Sequence, residues 1–346
     1  MPFTDILGQE KAVSYLKTLV QNGRVPGALL FYGPQGIGKA KTALEFAKAL
    51  NCQDPAAQKT GESCGQCPCC KAISQHTHPD VVFVDFLYQA RLEVKKDFSS
   101  SGYEEELENT LAKQQHINVD TIREITARSQ QKAIGNGWKV LIIDHAQTMQ
   151  AAAANALLKF IEEPPAKTLW ILITNKRAAM LRTILSRCQP LAFAPLSRQH
   201  VEQILSFNQV ETQYPALCAS YSGGSVSGAL KSDAALALLR EADFGANGCS
   251  PQGPCAVAAG LSRSLVTARQ EAQNILDVLV MAIHTGWVNA TDESLQHRFA
   301  KTLQQFENYK RSLSRNVSPA LIVETALMSL DGLPLSLFNM ENKSYD

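Results

Sequence analysis

The sequence lacks the features that mark secreted, membrane and low-complexity proteins. Its 346 residues contain no run of about 18 apolar residues, so we expect no membrane span. The N-terminal stretch MPFTDILGQE has neither the basic start nor the apolar centre of a signal peptide. No internal repeat and no low-complexity tract is visible. These absences predict a globular protein of the cytoplasm.

An excess of charge of one sign is also missing. The chain carries 33 Lys and Arg against 32 Asp and Glu, and no basic stretch is interleaved with aromatic residues. A stand-alone DNA-binding protein is therefore disfavoured, and any contact with DNA would come from a local patch or from partners. Apolar residues make up 45%, which is enough for the cores of two or three domains.

The first 195 residues alternate between short apolar runs and helical stretches. This alternation predicts an α/β fold with a parallel sheet covered by helices on both faces. The predicted strands are ALLFYG (28–33), DVVFVDF (80–86), KVLIIDH (139–145) and TLWILITN (168–175), and the predicted helices include 39–51, 118–132 and 151–163. A charged, Ser- and Gly-rich stretch at roughly 88–116 predicts a surface loop or insertion.

Strand signals fade after residue 195. Residues 197–240 predict short helices broken at Ser222-Gly223-Gly224, a linker follows at 245–254, and 255–335 predicts continuous amphipathic helix. We therefore expect an α/β core over 1–195, a helical lid over 196–243 and an all-α C-terminal domain over 244–346.

A phosphate-binding loop is predicted at 33–39 (GPQGIGK), between an apolar strand and a helix. Glycines let backbone N–H groups cradle phosphate oxygens, and the lysine reaches the terminal phosphates. The predicted cradle residues are Gly33, Gly36, Gly38 and Lys39. A glycine turn with an incidental lysine is the alternative. The next residue, Ala40, lacks the hydroxyl that holds Mg²⁺, and Thr42 is expected to face elsewhere, so we predict ATP or ADP binding without hydrolysis.

Residues 140–144 (VLIID) have the form of a strand that ends in a magnesium-binding aspartate, Asp144. In hydrolysing proteins of the AAA+ class a Glu usually follows, and here that position holds His145. A neutral imidazole could orient a water molecule, and the alternative is that His145 only fills a surface position.

The sequence resembles the clamp-loader subunits of bacterial DNA polymerase III, which are AAA+ proteins. The matching stretches keep the family's order and include FTDILGQ (3–9), the phosphate loop, LNC (50–52), NALLKFIEEPP (155–165), TN (174–175) and ILSRC (184–188). The resemblance implies an AAA+ core, with Asn175 in the nucleotide site beside Asp144.

The family contains a motor type, called gamma or tau, and a delta prime type whose own site is usually degenerate. Motor subunits carry Gly-Ser-x-Arg in the lid, whereas here the run is GSVSG (224–228), with Ser227 at the arginine position. Together with Ala40 and His145 this favours the delta prime type, an accessory subunit that is neither an ATPase nor a polymerase by itself. An ATP-hydrolysing gamma or tau subunit is the alternative. A small-molecule kinase fits the downstream motifs poorly.

The resemblance also implies partners and an arginine finger. In the family's Ser-Arg-Cys motif, here Ser186-Arg187-Cys188, the arginine reaches a neighbour's ATP site, so Arg187 would act in trans. An ordinary surface arginine beside a buried Cys188 is the alternative. The expected partners are motor and delta subunits in a hetero-oligomeric ring that places a sliding clamp on primed DNA, and no membrane.

Five of the nine cysteines lie within 52–70. In a reducing compartment this clustering favours metal binding over disulfides, and tetrahedral structural zinc takes four thiolate or imidazole ligands. Cys69 and Cys70 are adjacent and can hardly both bind one ion. We predict the set Cys52, Cys64, Cys67 and Cys70, which is also the family's zinc set. A swap of Cys69 for Cys70, weaker ligands at His76 and His78, and free thiols are the alternatives.

Overall fold

A computed structural model gives the fold of this chain. It describes residues 3–97, 103–133, 137–208, 215–241, 253–262, 264–313 and 317–330, and the single positions 210, 212, 315 and 333. The chain divides into two compact units, 1–195 and 196–346. Residues 242–252 hold most of the predicted linker and the predicted end of the lid, and they lie outside the described residues. The division of the second unit into two domains stays a prediction.

The first unit contains a five-stranded parallel sheet, as the alternating sequence pattern predicts. Its strands are β1 (Ala28–Tyr32), β2 (Val81–Val84), β3 (Lys139–Ile143), β4 (Thr168–Thr174) and β5 (Gln189–Ala192). Their order in the sheet is β2-β3-β4-β1-β5. The four predicted strands are confirmed, with shorter ends. β5 was missed because it is largely exposed and contains Pro190, a residue that sheets accept at their edges.

Nine α-helices accompany the strands in the described part of the first unit. They are α1 (Glu10–Asn22), α2 (Lys39–Asn51), α3 (Pro55–Thr60), α4 (Pro68–Ser74), α5 (Phe86–Asp97), α6 (Tyr103–Lys113), α7 (Val119–Gln130), α8 (Ala151–Glu162) and α9 (Arg182–Leu185). Helical turns at Phe3–Asp5, Ala146–Thr148 and Arg177–Ala179 are 3₁₀. The three named helix predictions at 39–51, 118–132 and 151–163 correspond to α2, α7 and α8.

Of the two predictions for 88–116, a surface loop is wrong, because α5 and α6 occupy most of this segment, and an insertion stays a prediction. On α5, Ala90 and Val94 are four residues apart and both buried, so one face of the helix packs inward. Gln89 is also buried and donates to the carbonyl oxygen of His116 at 3.0 Å. α6 buries no residue, which explains why its sequence resembles a surface segment.

The core of the first unit lies between the sheet and its helices. One face of the sheet packs against α7 and α8, with Leu30, Leu141 and Trp170 fully buried at its centre. The alternate strand residues are buried on the opposite face, where α2 packs against β4. Strands buried on both faces form a rigid frame, and loops at their ends inherit fixed positions.

The described part of the second unit is helical. Its helices are α10 (Arg198–Phe207), α11 (Pro215–Tyr221), α12 (Val226–Glu241), α13 (Gly253–Gly260), α14 (Leu265–Asn289), α15 (Glu293–Leu313) and α16 (Pro319–Met328). The predicted break at 222–224 is confirmed. Continuous helix over 255–335 is wrong: the chain leaves the helix three times, and Pro319 starts the last helix, where its missing N–H costs nothing. Within the described residues, no helix is both long and apolar enough to cross a membrane.

Candidate nucleotide, cysteine and arginine sites

Three parallel strands bring the predicted nucleotide-site residues to one edge of the sheet. β1 ends before the phosphate loop, β3 ends before Asp144 and β4 ends before Asn175. β4 lies between β1 and β3, and ligands of open α/β sheets bind outside the carboxyl ends of the strands. The sheet order therefore gathers residues that are far apart in the sequence.

The phosphate loop depends on backbone conformations that favour glycine. Gly33, Gly36 and Gly38 have φ values of 151°, 72° and 95°. A Cβ atom on Gly33 would overlap the carbonyl oxygen of Phe193. The loop thus has the backbone conformation that a phosphate cradle requires. The carbonyl oxygen of Phe193 leaves no room for a larger residue at position 33.

Lys39 begins α2 and is largely buried. Its Nζ donates to the carbonyl oxygen of Gly33 at 2.8 Å and to that of Pro34. Burial lowers the pKa of Lys39 to about 8, and the nearby Asp144 carboxylate opposes this effect. A phosphate group in the loop would compete with the two carbonyl groups for the ammonium, and its negative charge would stabilise the charged form that burial destabilises.

The position at which phosphate loops carry the magnesium-binding hydroxyl is occupied by alanine in this chain. The position after Lys39 is Ala40, at the start of α2. The hydroxyl of Thr42 donates to the carbonyl oxygen of Gly38 at 2.9 Å, and its side chain is fully buried. Because that hydroxyl is held within its own helix turn, Thr42 does not replace the missing ligand.

Asp144 and His145 follow β3 and are held by local contacts. Asp144 Oδ1 accepts the backbone N–H of His145 at 2.7 Å. His145 has a positive φ of 52°, and its ring stacks on Phe86 with centroids 5.4 Å apart. The stacking fixes the imidazole beside α5, with Nε2 3.8 Å from Asp144 Oδ2.

Asn175 carries an unsatisfied acceptor at the same edge of the sheet. Its side-chain Oδ1 is buried and has no hydrogen-bond partner among the described residues. The preceding Thr174 accepts the backbone N–H of Lys176 at 3.1 Å, so that hydroxyl is already used. A buried amide oxygen without a partner is costly unless a ligand or water satisfies it.

Four cysteines meet at one point between α2 and α4. The sulfur atoms of Cys52, Cys64, Cys67 and Cys70 all lie within 4.8 Å of one another. Zinc–sulfur bonds of about 2.3 Å in a tetrahedron place sulfur atoms about 3.8 Å apart. The group is therefore compact enough to bind zinc.

Backbone N–H groups donate to these sulfur atoms, and such hydrogen bonds stabilise the thiolate form that binds metal. Cys52 Sγ accepts from the N–H of Cys64 at 3.3 Å, and Cys64 Sγ accepts from Cys67 at 3.3 Å. The N–H groups of Gln66 and Cys67 lower the pKa of Cys64 to about 7. Burial raises the pKa of Cys52 and Cys70, which would need the cation to stabilise their thiolates.

The alternative ligands lie elsewhere. Within the described residues the compact group includes Cys70 and omits Cys69. His78 Nδ1 accepts the backbone N–H of Asp80 at 3.1 Å, and His76 packs edge-on against Phe83. Both imidazoles are thus committed to the segment that leads into β2.

Arg187 lies just after α9, with its side chain partly exposed. Its Nε donates to Glu162 Oε1 at the end of α8, and its Nη1 donates to the carbonyl oxygen of Thr183 at 3.0 Å and to Ser186 Oγ at 3.2 Å. The next residue, Cys188, is buried, and burial raises its pKa to about 12. Cys188 is thus an inert anchor beside an exposed cation.

In the second unit, Ser227 lies in the first turn of α12. Its hydroxyl is 3.0 Å from that of Ser225, which also accepts the N–H of Gly228 at 3.0 Å. This pattern is a helix N-cap, and it gives Ser225 a local structural role.

Sequence reasoning did not predict three residues that contact the site residues, namely Glu162, Phe86 and Phe193. Glu162 lies in the quoted EEPP stretch, and an acidic residue in the last turn of a helix is a usable signal, because it opposes the helix dipole. Phe86 and Phe193 gave no signal, since their contacts depend on how separate segments pack.

Known proteins resemble this chain in sequence, mainly over the first unit, and in fold. A family model described as DNA polymerase III, delta subunit, matches residues 8–197. The tau/gamma subunit of DNA polymerase III from Haemophilus influenzae is 31% identical over 68% of this chain and 31% of its own length. The delta' subunit from Pseudomonas aeruginosa is 34% identical over 57% of this chain and 53% of its own length.

Among solved structures, a DNA polymerase III gamma subunit-related protein from Thermotoga maritima covers 92% of this chain and 97% of its own length. The TM-score is 0.53 and the sequences are 15% identical, so the likeness concerns the fold alone. This likeness and the five-stranded parallel sheet confirm the predicted fold class, an α/β core with a parallel sheet followed by helices. The chain spans about a third to about half of the lengths of the two relatives above.

Proposed function

Because this chain belongs to the family described as DNA polymerase III, delta subunit, we propose that it is the delta prime-type subunit of a bacterial clamp loader. It would sit in a hetero-oligomeric ring with motor and delta subunits in the cytoplasm. Through that assembly it would help to load a sliding clamp onto primed DNA. One observation carries the choice of type. Ala40 follows the phosphate-loop lysine, and the next hydroxyl along the chain, on Thr42, donates a hydrogen bond to the carbonyl oxygen of Gly38.

The resident site is suited to binding nucleotide without hydrolysing it. The glycine conformations and the buried Lys39 fit phosphate groups, and the free Asn175 Oδ1 offers a further polar contact. Magnesium in a working site neutralises charge that develops on the phosphates, and here Asp144 would have to hold it without a hydroxyl ligand. His145, stacked on Phe86, replaces the acid that would polarise water. ATP or ADP would then act as a structural ligand.

The cysteine cluster would hold a structural zinc ion. Its four sulfur atoms are the number of ligands that tetrahedral structural zinc takes, and such closed sites stabilise the fold without taking part in chemistry. The cluster ties the end of α2, and thereby the helix that follows the phosphate loop, to α4.

Arg187 would complete the ATP site of a neighbouring motor subunit. A guanidinium stabilises the charge of a transferring phosphoryl group, and such fingers contribute about 10³–10⁵ in rate. The exposed position of Arg187 and the buried Cys188 beside it support this role.

An ATP-hydrolysing gamma or tau subunit is the second candidate. The tau/gamma subunit of Haemophilus influenzae is nearly as similar to this chain as the delta' relative, and the phosphate loop keeps its glycines. Under this alternative, Asp144 alone would hold magnesium and His145 would orient water.

ATP binding and turnover distinguish the two candidates. The purified chain is tested first alone and then assembled with motor and delta subunits, a clamp and primed DNA. We expect binding without turnover for the isolated chain, and stimulated turnover in the assembly that falls when Arg187→Ala is introduced. Magnesium-dependent turnover by the isolated chain, abolished by Lys39→Ala, would establish the motor type instead. Unchanged turnover in an intact assembly with Arg187→Ala would remove the finger from the proposal.

A further inference from the structure

We propose that Glu162 is a positioning residue for Arg187. It accepts a hydrogen bond from Nε of the guanidinium and leaves Nη2 available for another partner. The proposal rests on the proposed function, in which Arg187 acts on a neighbour's ATP. Glu162 itself would touch neither nucleotide nor metal.

Three contacts hold the guanidinium. Nε donates to Glu162 Oε1, while Nη1 donates to the Thr183 carbonyl oxygen and to Ser186 Oγ. In the part of the chain that the structure describes, Nη2 has no partner. Two of the three nitrogens are therefore fixed, and one whole NH₂ group stays available for an external oxyanion, which suits the fork geometry of arginine.

Both ends of the pair are fixed by buried neighbours. Ile161 and Ile184 are buried next to Glu162 and close to Arg187, and Cys188 anchors the arginine from the other side. Pro164 lies two residues after the end of α8 and packs so closely on Gly27, just before β1, that its ring leaves no room for a Cβ there. Glu162 is thus attached to the sheet, so an arginine bonded to it inherits the rigidity of the core.

The position of Glu162 is otherwise unfavourable. It is the last residue of α8, where the exposed carbonyl groups of the helix disfavour negative charge. The pair is also partly exposed, with side-chain exposures of 37% for Arg187 and 44% for Glu162, so we expect little from it for stability. An acidic residue placed against the dipole, with little gain in stability, is explained by its effect on the arginine.

The chain supplies a matched control one residue away. Glu163 has the same charge and adjoins the same helix end, and its side chain makes no polar contact with described residues. A general effect of negative charge near the arginine would appear in Glu163→Gln as well as in Glu162→Gln. An effect through the Nε contact would appear only at Glu162.

The test uses a reconstituted loader in which the motor subunits carry alanine at their own Ser-Arg-Cys arginine, so that Arg187 is the remaining finger. DNA- and clamp-stimulated ATP hydrolysis gives kcat and KM. We expect Arg187→Ala to lower kcat by about 10³. Glu162→Ala should lower kcat by about tenfold with KM for ATP unchanged, because a misplaced catalytic group loses rate without losing ground-state binding.

Two further variants separate positioning from a structural role. Glu162→Gln keeps an acceptor for Nε and should recover most of the rate, while Glu163→Gln should match the unmodified loader. In the double variant Glu162→Ala/Arg187→Ala the rate should equal that of Arg187→Ala alone, since the two residues act through one group. Assembly is checked by size-exclusion chromatography for each variant.

Each failure has a distinct meaning. If Arg187→Ala leaves the rate unchanged, the finger itself is wrong and the proposed function fails first. If Arg187→Ala lowers the rate but Glu162→Ala does not, or if the double variant is additive, the positioning role is overturned and the finger stands. A rise in rate with Glu162→Ala would also overturn it, because Glu162 would then restrain the arginine.

Discussion

The phosphate loop (33–39) and the cysteine cluster (Cys52, Cys64, Cys67 and Cys70) lie at opposite ends of α2. The loop depends on backbone conformation, whereas the cluster depends on side chains. The loop is a backbone device: three positive φ angles and the overlap that Phe193 imposes on Gly33 define it. The cluster is a side-chain device, in which four sulfur atoms converge within 4.8 Å.

This difference explains how one site can lose chemistry without losing its form. Under the proposed function, Ala40 supplies no hydroxyl for magnesium, yet the glycine conformations of the loop do not involve its side chain, so the loop keeps the form of a phosphate cradle. The cysteine cluster differs, because a structural zinc ion would need all four of its sulfur atoms as ligands. Loss of one ligand should affect the cluster far more than loss of one hydroxyl affects the loop.

The largest expected effect comes from a cluster ligand. Cys67→Ser should reduce the zinc content from about one ion per chain to nearly none and lower the melting temperature, because a structural site needs all four ligands. Metal analysis of the purified protein, with a thermal melt, measures this.

Cys69→Ser is the matched control, since Cys69 lies outside the compact group. It should keep its zinc. Loss of zinc in Cys69→Ser but not in Cys70→Ser would reverse the assignment, and absence of zinc from the unmodified chain at every stage of purification would end the zinc proposal.

The next largest effect concerns Lys39, the charged side chain of the phosphate loop. Lys39→Ala should weaken ATP binding by about tenfold to a hundredfold, because a charge-assisted hydrogen bond to phosphate contributes about 1.5–3 kcal/mol. Calorimetric titration measures the change in affinity. If the affinity is unaltered, Lys39 stays with the carbonyl groups of its own loop and the cradle does not receive phosphate.

The affinity for ATP should also depend on pH. Burial lowers the pKa of Lys39 to about 8, so the ammonium is mostly charged at pH 7 and mostly neutral at pH 9. We expect the affinity to fall by up to about tenfold between these values, because one pH unit above a pKa leaves about a tenth of the group protonated.

Lys39→Arg tests the cause, since a guanidinium stays charged over this range. Its ATP affinity should be nearly independent of pH between 7 and 9. An equal fall in both proteins would assign the pH dependence to another group.

The smallest effect should follow from restoring the lost hydroxyl. Ala40→Ser should increase the magnesium dependence of ATP binding by only a few-fold. Under the proposed delta prime assignment turnover should stay absent, because His145 and Ser227 stand at sequence positions where motor subunits carry Glu and Arg. Titrations with and without magnesium measure the first effect. Appearance of steady turnover in Ala40→Ser would mean that the hydroxyl alone had been lost.

Much of the fold follows from local sequence alone. Four short runs of apolar residues predict β1 to β4, since strands buried on both faces need such runs. Segment 88–116 was mispredicted because α6 has no fully buried residue and α5 buries only a narrow face. The helical C-terminal region was predicted as a class but its breaks were missed, although Pro319 is a local signal for the start of the last helix.

Sequence by itself determined which chemical groups this protein has: the glycines and lysine of the loop, the missing hydroxyl after Lys39, four spaced cysteines and the Ser-Arg-Cys arginine. Tertiary structure decided which of them meet. It placed Asp144 and Asn175 at one sheet edge with the loop, chose Cys70 over Cys69, and joined Glu162 to Arg187. The physical reason is that spacing fixes contacts only within a helix turn or a tight loop. Contacts between distant segments are set by the order of strands in the sheet and by the packing of helices on it.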